Sequence, residues 1–234
     1  MRVTPQCDSI NTITICQTDS VQANPAVDFD GTNFVVLWND NTVGLNRILA
    51  ARVTPGGTVL DAGNHVGETG VDELYPDIVY NGSNYFAVWC HYSDPYGVSG
   101  RFVSTQAQPN GSAIPIATTE TYKNVMPRVA YSGHNYFVTW SDFPPSIYNY
   151  NIYGQLIDDN GSLVGGRVTI ADEPAPENQP TIVFDGARFL VAWNDSGAIW
   201  GRYVDTLGQC QGVSFPISEI LVARAAARGQ SRLT

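Results

Sequence analysis

Apolar and polar positions alternate along this chain in short runs, broken by glycine, proline, asparagine and aspartate, and the runs recur. Four segments align: Pro25 to Asn39, Pro76 to Cys90, Pro127 to Ser141 and Pro180 to Asn194. In each, an alternating run (Val27 and Phe29, Val129 and Tyr131) predicts a half-buried strand. Asp30, Asn81, Ser132 or Asp185 then precedes a glycine, which predicts a tight hairpin, because glycine accepts positive φ and short polar side chains bond locally. A second run, such as Phe34 to Trp38, is apolar almost throughout and predicts a strand buried on both faces.

A third strand is predicted over 48–53, 98–103, 152–157 and 199–204. After another turn (Pro55-Gly56-Gly57, Pro109-Asn110-Gly111, Asp159-Asn160-Gly161) a fourth strand ends near Val66, Ile116, Ile170 and Ile217. Gly31, Gly82, Gly133 and Gly186 are spaced 51, 51 and 53 residues apart, and Trp38, Trp89, Trp140 and Trp193 keep that spacing. Fixed-period self-similarity of this length marks a repeat architecture. Tandem four-stranded antiparallel meanders pack radially, so the expected fold class is all-β, a β-propeller of four blades, with five left open. The recurring tryptophans are expected to pack between blades.

The domain reading is a single propeller over 1–220: a partial blade at 1–24, repeats at 25–75, 76–126, 127–179 and 180–220, and a non-repeat tail at 221–234. Residues 2–4 repeat Arg52-Val53-Thr54, and residues 10–16 read as a fourth strand. Cys7 and Cys210 stand at nearly equivalent positions before two competing fourth strands, so a Cys7–Cys210 disulfide is a candidate ring staple. Four cysteines without a CxxC pair argue against zinc.

The pattern Val-x-Tyr/Phe-Asp/Asn-Gly-x-Asn-Tyr/Phe-x-Val-x-Trp, followed by Ile-Tyr-Gly-Gln-x-x-Asp at 152–158, resembles tandem repeats of large secreted or surface proteins of environmental bacteria. The resemblance spans roughly residues 10–218 and is strongest from Phe137 to Asp158. It implies propeller blades, adhesion or binding, and an extracellular or cell-surface location. It brings no catalytic residues. The chain departs from it at Arg188, where the other units have Asn, and in the shortened loop of the last unit.

Composition narrows the partners. The net charge is −10 and Lys123 is the only lysine, so a phosphate-tracking surface is missing and nucleic acid is not an expected partner. No run approaches the ~20 apolar residues of a membrane-spanning helix, so membrane insertion is not expected. Met1 to Pro5 runs into polar sequence without the apolar core of a signal peptide. Hydrophobic residues at 43% supply a core.

A four-strand meander puts its tight turns on one face and its longer loops on the other, and loops carry function. The loops after the second strands hold Asp40, then His91, Tyr92 and Asp94, then Asp142, Phe143, Tyr148 and Tyr150, then Asp195. These nine are the candidate ligand residues. Between units lie Asp19, Asp72, Glu73, Glu120, Asp172, Glu173 and Glu177. Aromatic rings suit sugar C–H faces and carboxylates suit sugar hydroxyls; the same carboxylates suit Ca²⁺. His65, His91 and His134 occupy unrelated repeat positions and form no triad. The expected function is therefore a non-enzymatic binding or adhesion module for carbohydrate or a protein surface. The alternatives are a propeller-type glycoside hydrolase or lyase, which needs two facing carboxyl groups, and a structural module of a larger assembly.

Overall fold

The computed structural model describes residues 12–92, 96–118, 126–142, 149–173 and 176–217. These form sixteen strands in four antiparallel sheets. Blade 1 contains β1 (Gln22–Phe29), β2 (Phe34–Asp40), β3 (Arg47–Val53) and β4 (Asn64–His65). Blade 2 contains β5 (Glu73–Tyr80), β6 (Tyr85–His91), β7 (Gly97–Val103) and β8 (Pro109–Thr118). Blade 3 contains β9 (Arg128–Tyr131), β10 (Asn135–Asp142), β11 (Asn151–Asp158) and β12 (Leu163–Ala171). Blade 4 contains β13 (Glu177–Phe184), β14 (Arg188–Asp195), β15 (Ala198–Asp205) and β16 (Cys210–Pro216). In each sheet the strands lie in sequence order, and β1, β5, β9 and β13 pack against one another in turn as the inner strands. This is a β-propeller of four-stranded antiparallel blades.

The repeat's residues explain the build. Asp30, Asn81 and Asp185 each close their hairpin by accepting two following backbone N–H groups at 2.7–2.9 Å. Trp89 packs among blade 1 residues, Trp140 among blade 2 residues and Trp193 among blade 3 residues, so the tryptophans do sit between blades. Gly154 stands where a Cβ would lie 2.4 Å from the Phe137 ring, and Gly100 where it would lie 2.7 Å from Phe86. The third strand needs glycine there for the second-strand aromatic to lie flat across it.

Three departures from expectation have physical causes. The fourth strand of blade 1 shrinks to two residues, because the Asp61 carboxylate takes the Arg52 N–H at 2.9 Å and its guanidinium at 2.8 Å in place of a strand partner. Residues 12–16, the described part of the opening fragment, form no strand among the described residues. β2, β6 and β10 are buried on both faces, but β14 is buried on alternate residues only, since no core cluster among the described residues covers its second face. The tail at 221–234 lies outside the described residues.

One strain recurs. Asn24, Tyr75, Met126 and Gln179, each just before the repeat's proline, have φ of 53°, 54°, 24° and 55°. In blades 1, 2 and 4 they accompany a shift of register on the inner strand. A bulge repeated in this way is a device of the fold; it bends the inner strand and aims the residues before it.

Candidate functional site

The inner strands of blades 1, 2 and 4 each begin three residues before the repeat's proline, at Gln22, Glu73 and Glu177. Each pairs with the last residue of its second strand: Gln22 with Asp40, Glu73 with His91, Glu177 with Asp195. This row lies on the loop face. Glu73 and Glu177 are fully buried, and each donates its backbone N–H to the residue before the preceding blade's third strand, Asn46 at 2.9 Å and Tyr150 at 3.1 Å.

The two glutamates then diverge. The Glu73 carboxylate turns into the junction with blade 1 and accepts the N–H groups of Glu68 at 2.7 Å and Ile48 at 3.3 Å. A Cβ on Gly67 would fall 1.7 Å from its Oε2, so the absence of a side chain there makes the seat. Burial raises its pKa to about 7 against those bonds. Glu73 is a structural tie.

Blade 3 denies Glu177 that seat. By repeat position Ala171 replaces Gly67, with a Cβ where Glu73 has open space, and Ala171 pairs with Ile152 as the end of β12. Glu177 keeps one bond, Oε1 accepting from Glu173 N at 3.3 Å, and its buried Oε2 has no partner among the described residues. Burial is the main cause lifting its pKa to about 8, with Asp195, Asp172 and Glu173 adding to it. Burial and the neighbouring acids thus favour the protonated form of its carboxyl group.

Glu177 lines a cavity of about 340 Å³ with Glu173, Asp195, Trp193, Trp200 and Ser214. That volume is in the range of small-ligand sites. Trp193 and Trp200 are directly paired across β14 and β15, so their rings share the face that carries Glu177 and Asp195. The buried Trp193 Nε1 also has no partner among the described residues. The wall thus offers a proton donor, a second carboxyl group and apolar rings.

The other sequence candidates take different roles. Asp40 is buried and clamps its own loop: it accepts Thr42 N at 3.0 Å and Thr42 Oγ1 at 2.9 Å, and pairs with Arg47 at 3.1 Å. Burial works to raise its pKa, and the Thr42 and Arg47 bonds outweigh it, so the group stays below its ordinary value. His91 lies over Gly97, where a Cβ would sit 2.9 Å from its Nε2. Tyr92 packs on the junction of blades 2 and 3, and burial raises its pKa. Asp142 is buried at the end of β10. Tyr150 is half-buried and gives its carbonyl to Glu177 N. Asp94, Phe143 and Tyr148 lie outside the described residues. So does Cys7, and with it the proposed staple; Cys210 is a free thiol, 3.5 Å from the Thr169 carbonyl oxygen. Of the nine, Asp195 reaches the cavity. Glu177 was one acid among many in the inter-unit loops; its register with Gln22 and Glu73 was the signal that could have singled it out. Among the described residues no three carboxylates, histidines or thiols converge to hold a metal.

The sequence matches no family model and no curated protein. The fold does match solved structures. The α-L-arabinofuranosidase of Clostridium thermocellum aligns with 87% of this chain and 75% of its own, at 13% identity and a TM-score of 0.61. The GH43 endo-arabinanase of Bacillus licheniformis aligns with 82% and 77%, at 16% identity and a TM-score of 0.53. A subtype N10 neuraminidase-like protein of A/little yellow-shouldered bat/Guatemala aligns with 83% and 58%, at 8% identity and a TM-score of 0.62. At such identities the likeness defines the fold, a propeller shared with glycoside hydrolases. The expectation of a non-enzymatic binding or adhesion module is corrected by these findings. The absence of a histidine triad, on which it leaned, says nothing against a chemistry that needs two carboxyl groups.

Proposed function

We propose that this protein is a propeller-type glycoside hydrolase whose acid is Glu177 and whose second carboxyl group is Asp195. The observation that carries the reading is the buried Glu177 carboxyl group, raised to about 8 and without a partner at Oε2 among the described residues, in the wall of a cavity that Asp195 also lines. Glycoside hydrolysis needs one carboxyl group protonated and one ionised at working pH. Their cross-strand placement keeps the two Cβ atoms about 5 Å apart, so both side chains reach one glycosidic linkage. Glu177 gives its proton to the departing glycosidic oxygen. Asp195 stabilises positive charge at the anomeric carbon, and water supplies the hydroxyl that ends there and the proton that restores Glu177. Trp200 offers flat apolar surface to sugar C–H groups, backed by the core residue Trp193. Likeness to arabinan-active propellers supports a neutral polysaccharide as the first substrate to try.

The test is reducing-sugar release from a panel of arabinan, arabinoxylan, xylan and galactan, with Glu177→Gln and Asp195→Asn alongside. Activity lost in both variants supports the reading. No release from any glycan, or release untouched by both substitutions, rejects it.

A further inference from the structure

The three junctions inside the chain share one build. Tyr85, Ala87 and Trp89 of blade 2 pack on Val35, Leu37 and Val66 of blade 1. Tyr136, Val138 and Trp140 pack in the same way on blade 2, and Phe189, Val191 and Trp193 on blade 3. Each second strand thus sends its tryptophan face into the preceding blade and covers itself with the next blade on the other.

Two such faces are left over, one at each end of the array. On blade 1 the tryptophan face, Val36 and Trp38, meets Ile15 and Cys16 in place of a blade, and apolar-walled cavities of about 320 and 370 Å³ open beside it. On blade 4, Leu190 and Ala192 are half-buried, while Val183 and Ile199 beside them are 57% and 43% exposed. No core cluster among the described residues joins blade 4 to blade 1.

Ile15 indicates what fits between. It stands ten residues before Pro25, as Val66 stands before Pro76 and Ile170 before Pro180. Val66 and Ile170 lie at the fourth-strand ends of blades 1 and 3 and are buried under the following blade. Ile15 packs at the same place against blade 1, although no described strand pairs with residues 12–16. A residue at a fourth-strand position therefore packs on blade 1 with no described strand beside it.

We propose that the space between blade 4 and blade 1 is the seat of a fifth blade. Its occupant is a three-stranded antiparallel meander of this same repeat, and residues 12–16 are that blade's outermost strand. The tryptophan face of its second strand covers Leu190 and Ala192, and the opposite face covers Val36 and Trp38. A second copy of the chain fits less well, because its own fourth strand would arrive where Ile15 already lies.

The test supplies those three strands. A copy of residues 73–102 is placed before Val3, replacing Met1 and Arg2, so that the graft's third strand continues into the chain's own opening residues. The five-bladed chain is expected to be monomeric, to melt several degrees higher and to bind less of a dye for exposed apolar surface. Leu190→Glu is expected to cost little in the parent chain, where that face is open, and to abolish the gain in the grafted one. A graft that leaves melting and dye binding unchanged and is trimmed off by protease overturns the proposal. So does a parent chain that dimerises with loss of dye binding and returns to monomer with Leu190→Glu, since a second copy then fills the seat.

Discussion

Glu177 stands directly opposite Asp195 across β13 and β14, at the position where blade 2 pairs Glu73 with His91 and blade 1 pairs Gln22 with Asp40. One backbone position thus carries three chemistries, and of these three blades blade 4 alone sets two carboxyl groups face to face. The two glutamates also differ in their surroundings: at the repeat position of Gly67, which makes room for the Glu73 carboxyl group, blade 3 has Ala171.

The seat itself is testable. Gly67→Ala puts a Cβ on Glu73 Oε2 and forces the carboxyl group out of its two backbone bonds. A loss of about 1–3 kcal/mol is expected, the range for overpacking and for stranded buried donors. Urea unfolding measures it, and Glu73→Ala, which strands Ile48 N and Glu68 N, should lose a similar amount.

Stability should fall as pH rises through the neutral range. Glu73 and Glu177 have folded-state values of about 7 and about 8, both above the ordinary glutamate value of 4.5. Between these limits the folded chain holds protons that the unfolded chain has released. Their contribution is complete below about pH 4.5, declines as pH climbs and is gone above about pH 8. For Glu73 the span is on the order of 3 kcal/mol. Asp40 and Asp61, with lowered values, act in the opposite sense: their contribution is present above the ordinary aspartate range and lost as acid protonates them. Unfolding free energies at pH 5 and 8.5 should therefore favour pH 5. Glu73→Gln should lower stability at both, by placing an amide N–H against a backbone N–H, and flatten the slope.

Fragments of the repeat were legible in different degrees. Trp89, Trp140 and Trp193, and the turn residues Asp30, Asn81 and Asp185, announced their roles because each acts at a fixed period and through local geometry. The short β4 was not legible, since the Asp61 carboxylate that replaces a strand partner looks like any loop acid. Asp40 read as a ligand residue for the same reason, while its partners Thr42 and Arg47 make it a clamp. Asp195 was recognised from its place after Trp193. Glu177 was not, because nothing in its own segment sets it apart from the other inter-unit acids, and its partner Asp195 lies on the next strand.

The cavity's charge sets a preference. Glu173, Glu177 and Asp195 line it, and among the described residues no arginine or lysine does. Uronate-bearing oligosaccharides should bind at least tenfold more weakly than neutral ones of the same length, a gap of about 1.4 kcal/mol. Calorimetric titration of the Glu177→Gln variant with both classes measures it, and added salt should narrow the difference.

Trp200 is half-buried at the cavity wall whereas Trp193 is a core residue. Trp200→Ala should raise KM with the melting temperature nearly kept. Trp193→Ala should cost about 3–5 kcal/mol of stability.

The role of Glu177 is tested most directly by changing the leaving group. Wild type and Glu177→Gln are compared on a neutral aryl glycoside whose phenol departs without protonation and on the matching oligosaccharide, whose leaving oxygen needs a proton. Glu177→Gln is expected to lose at least a hundredfold in kcat/KM on the oligosaccharide and to keep most of its rate on the aryl glycoside. Wild-type oligosaccharide turnover should decline above about pH 8, as Glu177 releases its proton. Equal loss on both substrates, or no loss on either, contradicts the assignment of Glu177 as the acid.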